Sequence, residues 1–419
     1  MRRNAFLFRG ICALTCGCLA LPAFGGELFR VIESVALGAA EPTLVAVHRV
    51  EVDHRTLADA ELTLPLPGRA PVSARLERLE RRPAGFTWRG FAGPQQRVVL
   101  TSHRGYLAGM IYAGEEAYQL LPLPDGGQGL ARMDQSKFPS CGGAVDAPPA
   151  LGPPAVPAPA AAPAPLGIDP ADDIDLLALY TPQSRDAAGG VAQIEATLQA
   201  AVDMANTAFI DSEMVARFDL VATALATRND SGDMGADLNW LAGDPGVALL
   251  REQVAADMTS LTVNSGSACG IGFVMRNPGA GFADSAFQVT GRSCAVGNLS
   301  FAHEHGHNMG MEHDPPNGTS PANASFPWSF GHTVNGNYRT VMAYATQCSS
   351  GCTRVPHFSN PDVTHNGVPT GVAEQRDNAR TGDATAEIVA NFRAGLVPSS
   401  IFQDGFETGL LGLWSLIVP

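Results

Sequence analysis

Lysine is almost absent from this sequence of 419 residues, because Lys137 is its single lysine and its other basic residues are arginines. Charged residues make up only 16% and the formal net charge is −14, so the chain lacks the basic surface that a general nucleic-acid binder needs. No repeat of solenoid period occurs. Hydrophobic residues make up 45%, which excludes a wholly disordered chain, a collagen-like repeat and a coiled coil.

The amino terminus predicts a secretory signal peptide over residues 1–25. Arginines stand at its start, residues 10–21 form an apolar stretch, and Ala23 and Gly25 fit a cleavage site. This stretch is too short to span a membrane, although a buried amino-terminal helix is an alternative. We therefore expect a secreted protein, extracellular or periplasmic, with no membrane anchor, in an oxidising compartment where disulfides persist.

The rest of the chain divides at a Pro/Ala-rich linker over residues 144–171, whose composition favours extended chain over a packed core. Before it, residues 26–143 show short alternating apolar runs punctuated by Gly and Pro, which predict a mostly β domain. After it, residues 172–397 alternate strand and helix patterns and predict an α+β (α/β-type) domain. Residues 398–419 form a C-terminal tail.

Apolar spacing predicts the elements of the α+β domain. Its strands are expected at 174–180, 217–224 and 259–263, and its helices at 190–210 and 246–257. Residues 172–397 hold 24 acidic and 11 basic residues, whereas residues 26–168 hold 14 and 13. Nearly all of the negative charge therefore lies in the α+β domain.

The strongest functional signal is His303-Glu304-x-x-His307-x-x-Gly310-x-x-His313. On a helix, His303 and His307 lie on one face and can bind one Zn²⁺, while Glu304 can reach a water on that metal. Gly310 permits a positive φ, so the chain can turn and bring His313 back as a third ligand. Three neutral histidines leave one position open for water, as catalytic zinc requires.

This segment resembles the zinc helix of metzincin metalloendopeptidases. Asp314 is similar to the residue that follows the third histidine in the reprolysin/adamalysin-like branch, and Met342 lies 29 residues after His313 in a segment that matches a Met-turn. Tyr344 departs from typical reprolysins and is closer to bacterial enzymes of the peptidyl-Asp metalloendopeptidase kind. The resemblance covers roughly residues 172–397 and implies a metzincin catalytic domain with a twisted mixed sheet and a zinc helix.

The resemblance also implies roles. Met342 would form an apolar floor beneath the imidazoles, and Tyr344 would bind zinc at rest or donate to the oxyanion, with plain packing as its alternative. The implied reaction is direct hydrolysis, in which a zinc-activated water attacks the peptide bond and Glu304 is the general base. We expect a monomeric zinc-dependent endopeptidase that acts on protein or peptide substrates.

Cys141 stands alone between two groups of cysteines. The four cysteines of the α+β domain can pair in three ways, of which we prefer Cys269–Cys294 with Cys348–Cys352. Cys141 is then free, and its site resembles the cysteine switch of reprolysin-like zymogens, in which a thiol takes the open zinc position. Residues 26–143 are therefore interpreted as an inhibitory propeptide, with inert packing or another disulfide partner as alternatives for Cys141.

If the peptidyl-Asp resemblance extends to specificity, activation cleavage would fall in the linker before Asp169 or Asp172. Arg339 and Arg354 are candidates for contacting acidic side chains of substrates. A structural Ca²⁺ is a further expectation from the acidic surface, although no loop matches an EF-hand. The remaining histidines of interest lack ligand spacing and are not expected to bind metal: His305, His332, His357 and His365.

Two alternatives to a protease remain open. One is a catalytically inactive metzincin-fold adhesion or binding protein, against which the intact Glu304 argues. The other is a zinc hydrolase that acts on something other than peptides. No nucleic-acid partner is expected for a chain this acidic.

Overall fold

The structure is a computed structural model that describes residues 25–36, 43–148 and 169–395. The predicted tail, most of the predicted linker and all but the last residue of the predicted signal peptide lie outside the described residues. The boundaries of these segments therefore stay predictions. None of the described helices combines the length and the apolar character that a membrane span needs.

The described part of residues 25–148, which we call the N-terminal region, is mostly one ten-stranded sheet. Neighbouring strands are antiparallel except for one parallel pair, β1 with β4. The expectation of a mostly β domain is confirmed. The spatial order is β1-β4-β5-β6-β7-β8-β9-β10-β3-β2, and the strands are β1 (Gly26–Glu27), β2 (Phe29–Val35), β3 (Leu44–Val52), β4 (Glu61–Leu64), β5 (Val72–Arg82), β6 (Gly85–Phe91), β7 (Arg97–His103), β8 (Tyr106–Ala113), β9 (Glu116–Pro122) and β10 (Gln128–Met133). Short 3₁₀ helices cover Thr56–Ala58 and Gln135–Lys137.

The second region, residues 169–395, provides five strands of a six-stranded mixed sheet, whose edge strand β11 comes from residues 144–146. We call it the catalytic region after the role that its histidine motif predicts. The sheet order is β11-β15-β16-β14-β12-β13, with β15 antiparallel to β16 and every other pair parallel. The strands are β11 (Ala144–Asp146), β12 (Ile174–Tyr180), β13 (Phe218–Leu225), β14 (Met258–Val263), β15 (Gly270–Val274) and β16 (Phe287–Gly291).

Seven helices and two small sheets complete the catalytic region as described. The helices are α1 (Pro182–Ala188), α2 (Val191–Asp211), α3 (Met234–Gly243), α4 (Pro245–Gln253), α5 (Arg292–Ala295), α6 (Ser300–Asn308) and α7 (Asn378–Val389), with 3₁₀ helices at Ala280–Ser285 and Ala345–Gln347. The small sheets contain β17 (Thr333–Val334), β18 (Tyr338–Arg339), β19 (Thr353–Arg354), β20 (Thr364–His365) and β21 (Val368–Pro369).

The predicted strands and the long helix of the catalytic region are confirmed, with shifts of one or two residues at their ends. The helix expected over 246–257 ends earlier, at Gln253, because Ala255 takes a φ of +51°, a left-handed conformation that no α-helix continues. A second difference lies in the predicted linker, whose first residues form β11 and pair with β15 at the edge of the catalytic sheet.

Helix α2 lies between the two regions and is buried on nearly every side. It packs on β7 and β8 of the N-terminal region and on β13 and α6 of the catalytic region. Side chains of β7 alternate between two clusters, as strand geometry requires. Val98 and Leu100 join the core of the N-terminal region, whereas Val99 joins the larger core that includes α2. The same large core surrounds α6, which lies against β15 and β16.

Candidate metal centre and active site

Helix α6 presents the first half of the predicted motif. His303, Glu304 and His307 are all buried on it. The helix ends at Asn308, and Gly310 follows with a φ of +85°. A Cβ there would lie 3.0 Å from the Met275 carbonyl oxygen, so glycine suits both the conformation and the space. The turn brings His313 back toward the helix.

The three predicted histidine ligands meet at their Nε2 atoms. His307 Nε2 lies 3.0 Å from His313 Nε2, which lies 3.1 Å from His303 Nε2. Each Nδ1 lies within hydrogen-bond distance of a backbone carbonyl oxygen, at 2.8 Å for His303 and His307 and at 3.2 Å for His313. When Nδ1 donates its proton to a carbonyl, Nε2 carries a lone pair.

This arrangement fits a metal cation. Lone pairs that face one another at about 3 Å repel unless a cation lies between them. Burial lowers the pKa of His307 to about 4 and lowers those of His303 and His313 well below the usual value, so the imidazoles are neutral ligands at neutral pH. Three imidazole nitrogens are a ligand set that catalytic zinc prefers.

Glu304 lies beside the histidines in a space that two glycines leave open. A Cβ on Gly270 would lie 2.6 Å from Glu304 Oε1, and one on Gly272 would lie 3.0 Å from the Glu304 carbonyl oxygen. Burial raises the pKa of Glu304 to about 8. Its Oε1 is buried without a hydrogen-bond partner among the described residues, so this oxygen is free to bind a water or a proton.

Met342 lies beneath α6, as the Met-turn resemblance implies. The side chain is fully buried, and a Cβ on Gly306 would lie 2.6 Å from its Sδ. Gly306 therefore lets the methionine approach the helix between two of the histidines. The carboxylate of Asp314 fastens the same turn, because its Oδ1 accepts a 2.9 Å hydrogen bond from the Tyr344 backbone N–H.

Tyr344 contacts both the third histidine and the N-terminal region. Its ring centroid is 4.3 Å from that of His313, and its hydroxyl donates a 3.2 Å hydrogen bond to the Cys141 carbonyl oxygen. Burial raises the pKa of Tyr344 far above its usual value, so the hydroxyl keeps its proton. Metal binding and proton donation both remain predictions for this residue.

Cys141 is a free cysteine whose sulfur faces the histidines. Its Sγ lies 3.5 Å from Glu304 Oε2 and 4.0 Å from His307 Nε2. Together with the three Nε2 atoms it forms a group of four donor atoms that lie within 4.8 Å of one another. Sequence reasoning placed Cys141 beside the metal ligands only through the zymogen resemblance, and the structure brings it there.

Backbone pairing holds the Cys141 segment against the catalytic sheet. The Gly142 N–H donates to the Gly270 carbonyl oxygen at 2.7 Å, and the Cys269 N–H donates to the Ser140 carbonyl oxygen at 3.0 Å. The segment then continues into β11, which pairs with β15 through main-chain hydrogen bonds and forms the edge strand of the six-stranded sheet. It thus covers the cleft between β15 and the histidines.

Both preferred disulfides are present. Cys269–Cys294 joins the start of β15 to α5, just before the zinc-ligand helix, and Cys348–Cys352 closes a short loop after Tyr344. The four catalytic-region cysteines thereby leave Cys141 unpaired.

The other histidines lie away from the cluster, as expected. His305 points to the opposite side of α6, where its ring packs on Phe218 and Phe301. His332 contacts Arg376, and His357 packs on His365. Among the described residues the Cys141–histidine group is the one set of three or more His, Cys, Asp or Glu donors placed to hold a metal. The expectation of a structural Ca²⁺ is therefore not supported.

Several contributors were missed at the sequence level. Gly270 and Gly272 make room for Glu304, and the Gly-x-Gly pattern inside a strand was a usable signal of close approach. Asp314 was identified only by its similarity to the reprolysin-like branch, although its carboxylate accepts a hydrogen bond from the Tyr344 backbone N–H. Arg339 and Arg354, proposed as contacts for acidic side chains, are both buried near Asn298 and Ala343.

Comparisons with known proteins find similarity to metallopeptidases. Residues 171–359 match metallopeptidase family M12. A peptidyl-Asp metalloendopeptidase of Xanthomonas campestris pv. campestris is 29% identical over 392 residues, which cover 86% of this chain and 91% of the relative. One of Pseudomonas aeruginosa is 33% identical over 255 residues, covering 54% of this chain and 41% of the relative. Metalloproteinase-II from Bacteroides fragilis covers 72% of this chain and 88% of its own, with 11% identity and a TM-score of 0.42.

Proposed function

We propose that this metalloendopeptidase, whose residues 171–359 match metallopeptidase family M12, is exported as a latent precursor. Removal of the N-terminal region would release an endopeptidase in which Glu304 is the general base. The observation that carries this proposal is the convergence of three histidine Nε2 atoms, Glu304 and the Cys141 thiol at one point. Export itself rests on the signal-peptide pattern alone.

His303, His307 and His313 would hold the zinc, which supplies a Lewis acid that polarises the scissile carbonyl and favours ionisation of water. Once the Cys141 segment no longer buries it, Glu304 would be ionised, would take a proton from the attacking water through Oε1 and would later pass it to the leaving amine. The water oxygen bonds to the carbonyl carbon, and the carbon–nitrogen bond breaks as the amine is protonated. Every atom and proton is therefore supplied by water and Glu304.

Tyr344 would orient the substrate carbonyl. In the precursor its hydroxyl donates to a peptide carbonyl, that of Cys141. That carbonyl occupies a position that a substrate carbonyl can take once the segment has left. The hydroxyl would then donate to the developing oxyanion, a contact of the type that stabilises transition states of acyl transfer.

Latency would depend on Cys141 and its neighbours. The thiol stands where a substrate or a water would approach the histidines, and the main-chain hydrogen bonds of Gly142 and β11 keep it there. A thiol close to three imidazoles is a strong metal ligand because zinc favours its thiolate form. We therefore assign Cys141 the inhibitory position, which opens when the N-terminal region departs.

The substrates would be proteins or peptides with an Asp next to the scissile bond. The support is the shared name of the curated relatives, peptidyl-Asp metalloendopeptidases. Under this proposal, cleavage before Asp169 or Asp172 would separate the two regions.

The test uses the whole precursor and the mature enzyme made from it. We expect the mature protein to hold about one zinc per chain and to cleave casein. A chelator should abolish that cleavage, and Glu304→Ala should remove it without loss of bound zinc. A Glu304→Ala protein as active as the wild type, or activity that a chelator leaves intact, would refute the mechanism.

A further inference from the structure

Two buried arginines next to the active site have no acidic partner. Arg339 and Arg354 are 3% and 4% exposed, and among the described residues no carboxylate lies within ion-pair distance of either one. Each also leaves its Nε–H without a hydrogen-bond partner. Buried charges in proteins are nearly always paired because removing them from water is costly. These two guanidinium groups therefore form a site of unmet positive charge.

The contacts of the two arginines place them between the Met-turn and the start of α6. Both donate to the Ala343 carbonyl oxygen, Arg339 at 2.9 Å and Arg354 at 3.2 Å. Arg354 also donates to the Asn298 carbonyl oxygen at 2.7 Å, and Arg339 to Asn298 Oδ1 at 3.4 Å. Ala343 directly precedes Tyr344, whose ring contacts His313, so the two guanidinium groups bind the backbone next to a side chain of the site.

The charge of Arg354 acts on the catalytic groups. It lowers the pKa of Glu304, although burial dominates and the pKa is raised overall, and it contributes to the lowered pKa of His303. Burial lowers the pKa of Arg354 itself to about 10, and burial followed by repulsion from Arg354 lowers that of Arg339. The charge of Asp314 acts on Arg339 and that of Glu304 acts on Arg354, but neither carboxylate lies at ion-pair distance in the described structure. Arg354 is thus close enough to the reacting centre to affect it.

Another buried arginine of the catalytic region shows what a purely structural guanidinium looks like. Arg251 is 1% exposed, and its Nε and both Nη atoms donate to backbone carbonyl oxygens, those of Ala256, Asp257 and Ala283. None of its three side-chain nitrogen atoms lacks a hydrogen-bond partner in the described structure. Arg339 and Arg354 differ because each retains a donor that no protein atom accepts.

The N-terminal region closes this site in the precursor. Gln135 Oε1 accepts a 2.6 Å hydrogen bond from the Arg354 backbone N–H, and its Nε2 reaches the Gly297 carbonyl oxygen at 3.4 Å. Met133 packs on Gly297. The buried Tyr112 hydroxyl, also without a partner, is close enough that the charges of both arginines act on its pKa. Departure of the N-terminal region removes all three side chains.

We propose that Arg339 and Arg354 bind the carboxylate of the substrate residue that follows the scissile bond, and so set a preference for acidic side chains. The inference rests on the proposed peptidase function and deepens it. Guanidinium groups bind carboxylates through paired, charge-assisted hydrogen bonds. The substrate carboxylate would pair with two guanidinium groups that have no ion-pair partner in the protein. Tyr112 and Gln135 would cover this site before activation.

The test compares two peptides that differ in one residue, Asp or Asn, directly after the cleaved bond. The mature wild-type enzyme should prefer Asp by on the order of 100-fold in kcat/KM, because the Asn peptide leaves both guanidinium groups unpaired. Arg354→Gln should bring the ratio near one, mainly by slowing cleavage of the Asp peptide. Arg339→Gln should reduce the ratio less, and Arg354→Lys should retain part of it.

Matched variants distinguish this site from others. Arg185, which pairs with Asp186 on α1, serves as the surface control, and Arg185→Gln should leave the ratio unchanged. Arg276 lines the pocket beside His313 and Tyr344 and pairs with Glu312 and Asp146. If Arg276→Gln abolishes the preference while Arg354→Gln keeps it, the assignment to the two-arginine site is overturned.

A binding measurement guards against misfolded variants. The Glu304→Ala protein, converted to its mature form by a trace of wild-type enzyme, should bind the Asp peptide more tightly than the Asn peptide. The double variant Glu304→Ala/Arg354→Gln should bind both peptides equally. Its zinc content should equal that of Glu304→Ala. Equal binding of both peptides by Glu304→Ala contradicts the proposal. A wild-type enzyme that cleaves both peptides equally well overturns the acidic preference alone, whereas one that cleaves no peptide overturns the proposed function itself.

Discussion

The two regions of the molecule pack on the same helix, α2, but by different chemistry. The face toward the catalytic region is apolar and belongs to one continuous core. The face toward the N-terminal region carries a polar stripe at every fourth position, which faces four arginines: Glu195 with Arg104, Asp203 with Arg82, Thr207 with Arg89, and Asp211 with Arg97. Gln199 completes the stripe.

The polar stripe bears on how one region can leave while the other stays folded. A stripe of carboxylates and amides is stable in water once its partners depart, whereas an exposed apolar face of that length would promote aggregation. The three carboxylates of the stripe are among the 24 acidic residues of residues 172–397. The N-terminal region is therefore attached in part by polar contacts that water can replace, and in part by apolar side chains such as Val99, Ala108 and Met110, which join the core around α2.

The largest expected difference in stability between the precursor and the mature enzyme concerns Asp203. Its carboxylate accepts hydrogen bonds from Arg82 and from the buried hydroxyls of Thr87 and Thr101, the last two at 2.6 Å. Asp203→Ala should destabilise the precursor by about 3 kcal/mol, because it leaves these donors unpaired. Chemical denaturation should show a change below about 0.5 kcal/mol in the mature enzyme, where the site is at the surface. An equal loss of unfolding free energy in the precursor and the mature enzyme would show that Asp203 does not stabilise the interface.

The two regions also differ in disulfides, because the described N-terminal region contains none. Cys269–Cys294 spans 25 residues and Cys348–Cys352 spans 4. Replacing the first pair with serine should cost the mature enzyme about 3 kcal/mol, and replacing the second about 2 kcal/mol, because the longer loop loses more entropy when it is closed. Denaturant melts of the two double variants measure this order. A reversed order would contradict the loop argument.

A smaller effect is a pH dependence that belongs to the catalytic region. Burial, followed by mutual repulsion, raises the pKa of Asp175 to about 7, and burial raises that of Asp257 to about 7. Their folded-state values exceed the usual 3.8, so their contribution to stability is fully present below about pH 4 and is lost as pH rises through 7.

The Tm of the mature wild-type enzyme should fall between pH 5 and pH 8. Asp175→Asn should make this fall smaller by a few degrees. Thermal melts of wild type and variant at both pH values give the difference. Asp186→Asn, at an exposed position, is the matched control and should leave the fall in Tm unchanged. An identical pH dependence in wild type and Asp175→Asn would contradict the prediction.

Local features of the fold and the site were predictable from the sequence, whereas contacts between distant segments were not. The histidine spacing fixes which side chains share a helix face, and Gly310 marks the turn, because both depend only on local geometry. The Arg339–Arg354 site depends on tertiary packing, since Asn298 and Ala343 lie 45 residues apart in sequence. The strand at Ala144–Asp146 forms because β15 offers an open edge, which overrides the weak β preference of its composition.

The position of Cys141 tests the central claim most directly. The measurement is peptide cleavage by the Cys141→Ser precursor while its chain is still uncut, with the wild-type precursor beside it. We expect a rise on the order of 100-fold, because the thiol acts as an intramolecular ligand at high effective concentration. A Cys141→Ser precursor that binds zinc, remains folded and is as silent as the wild type would contradict the account.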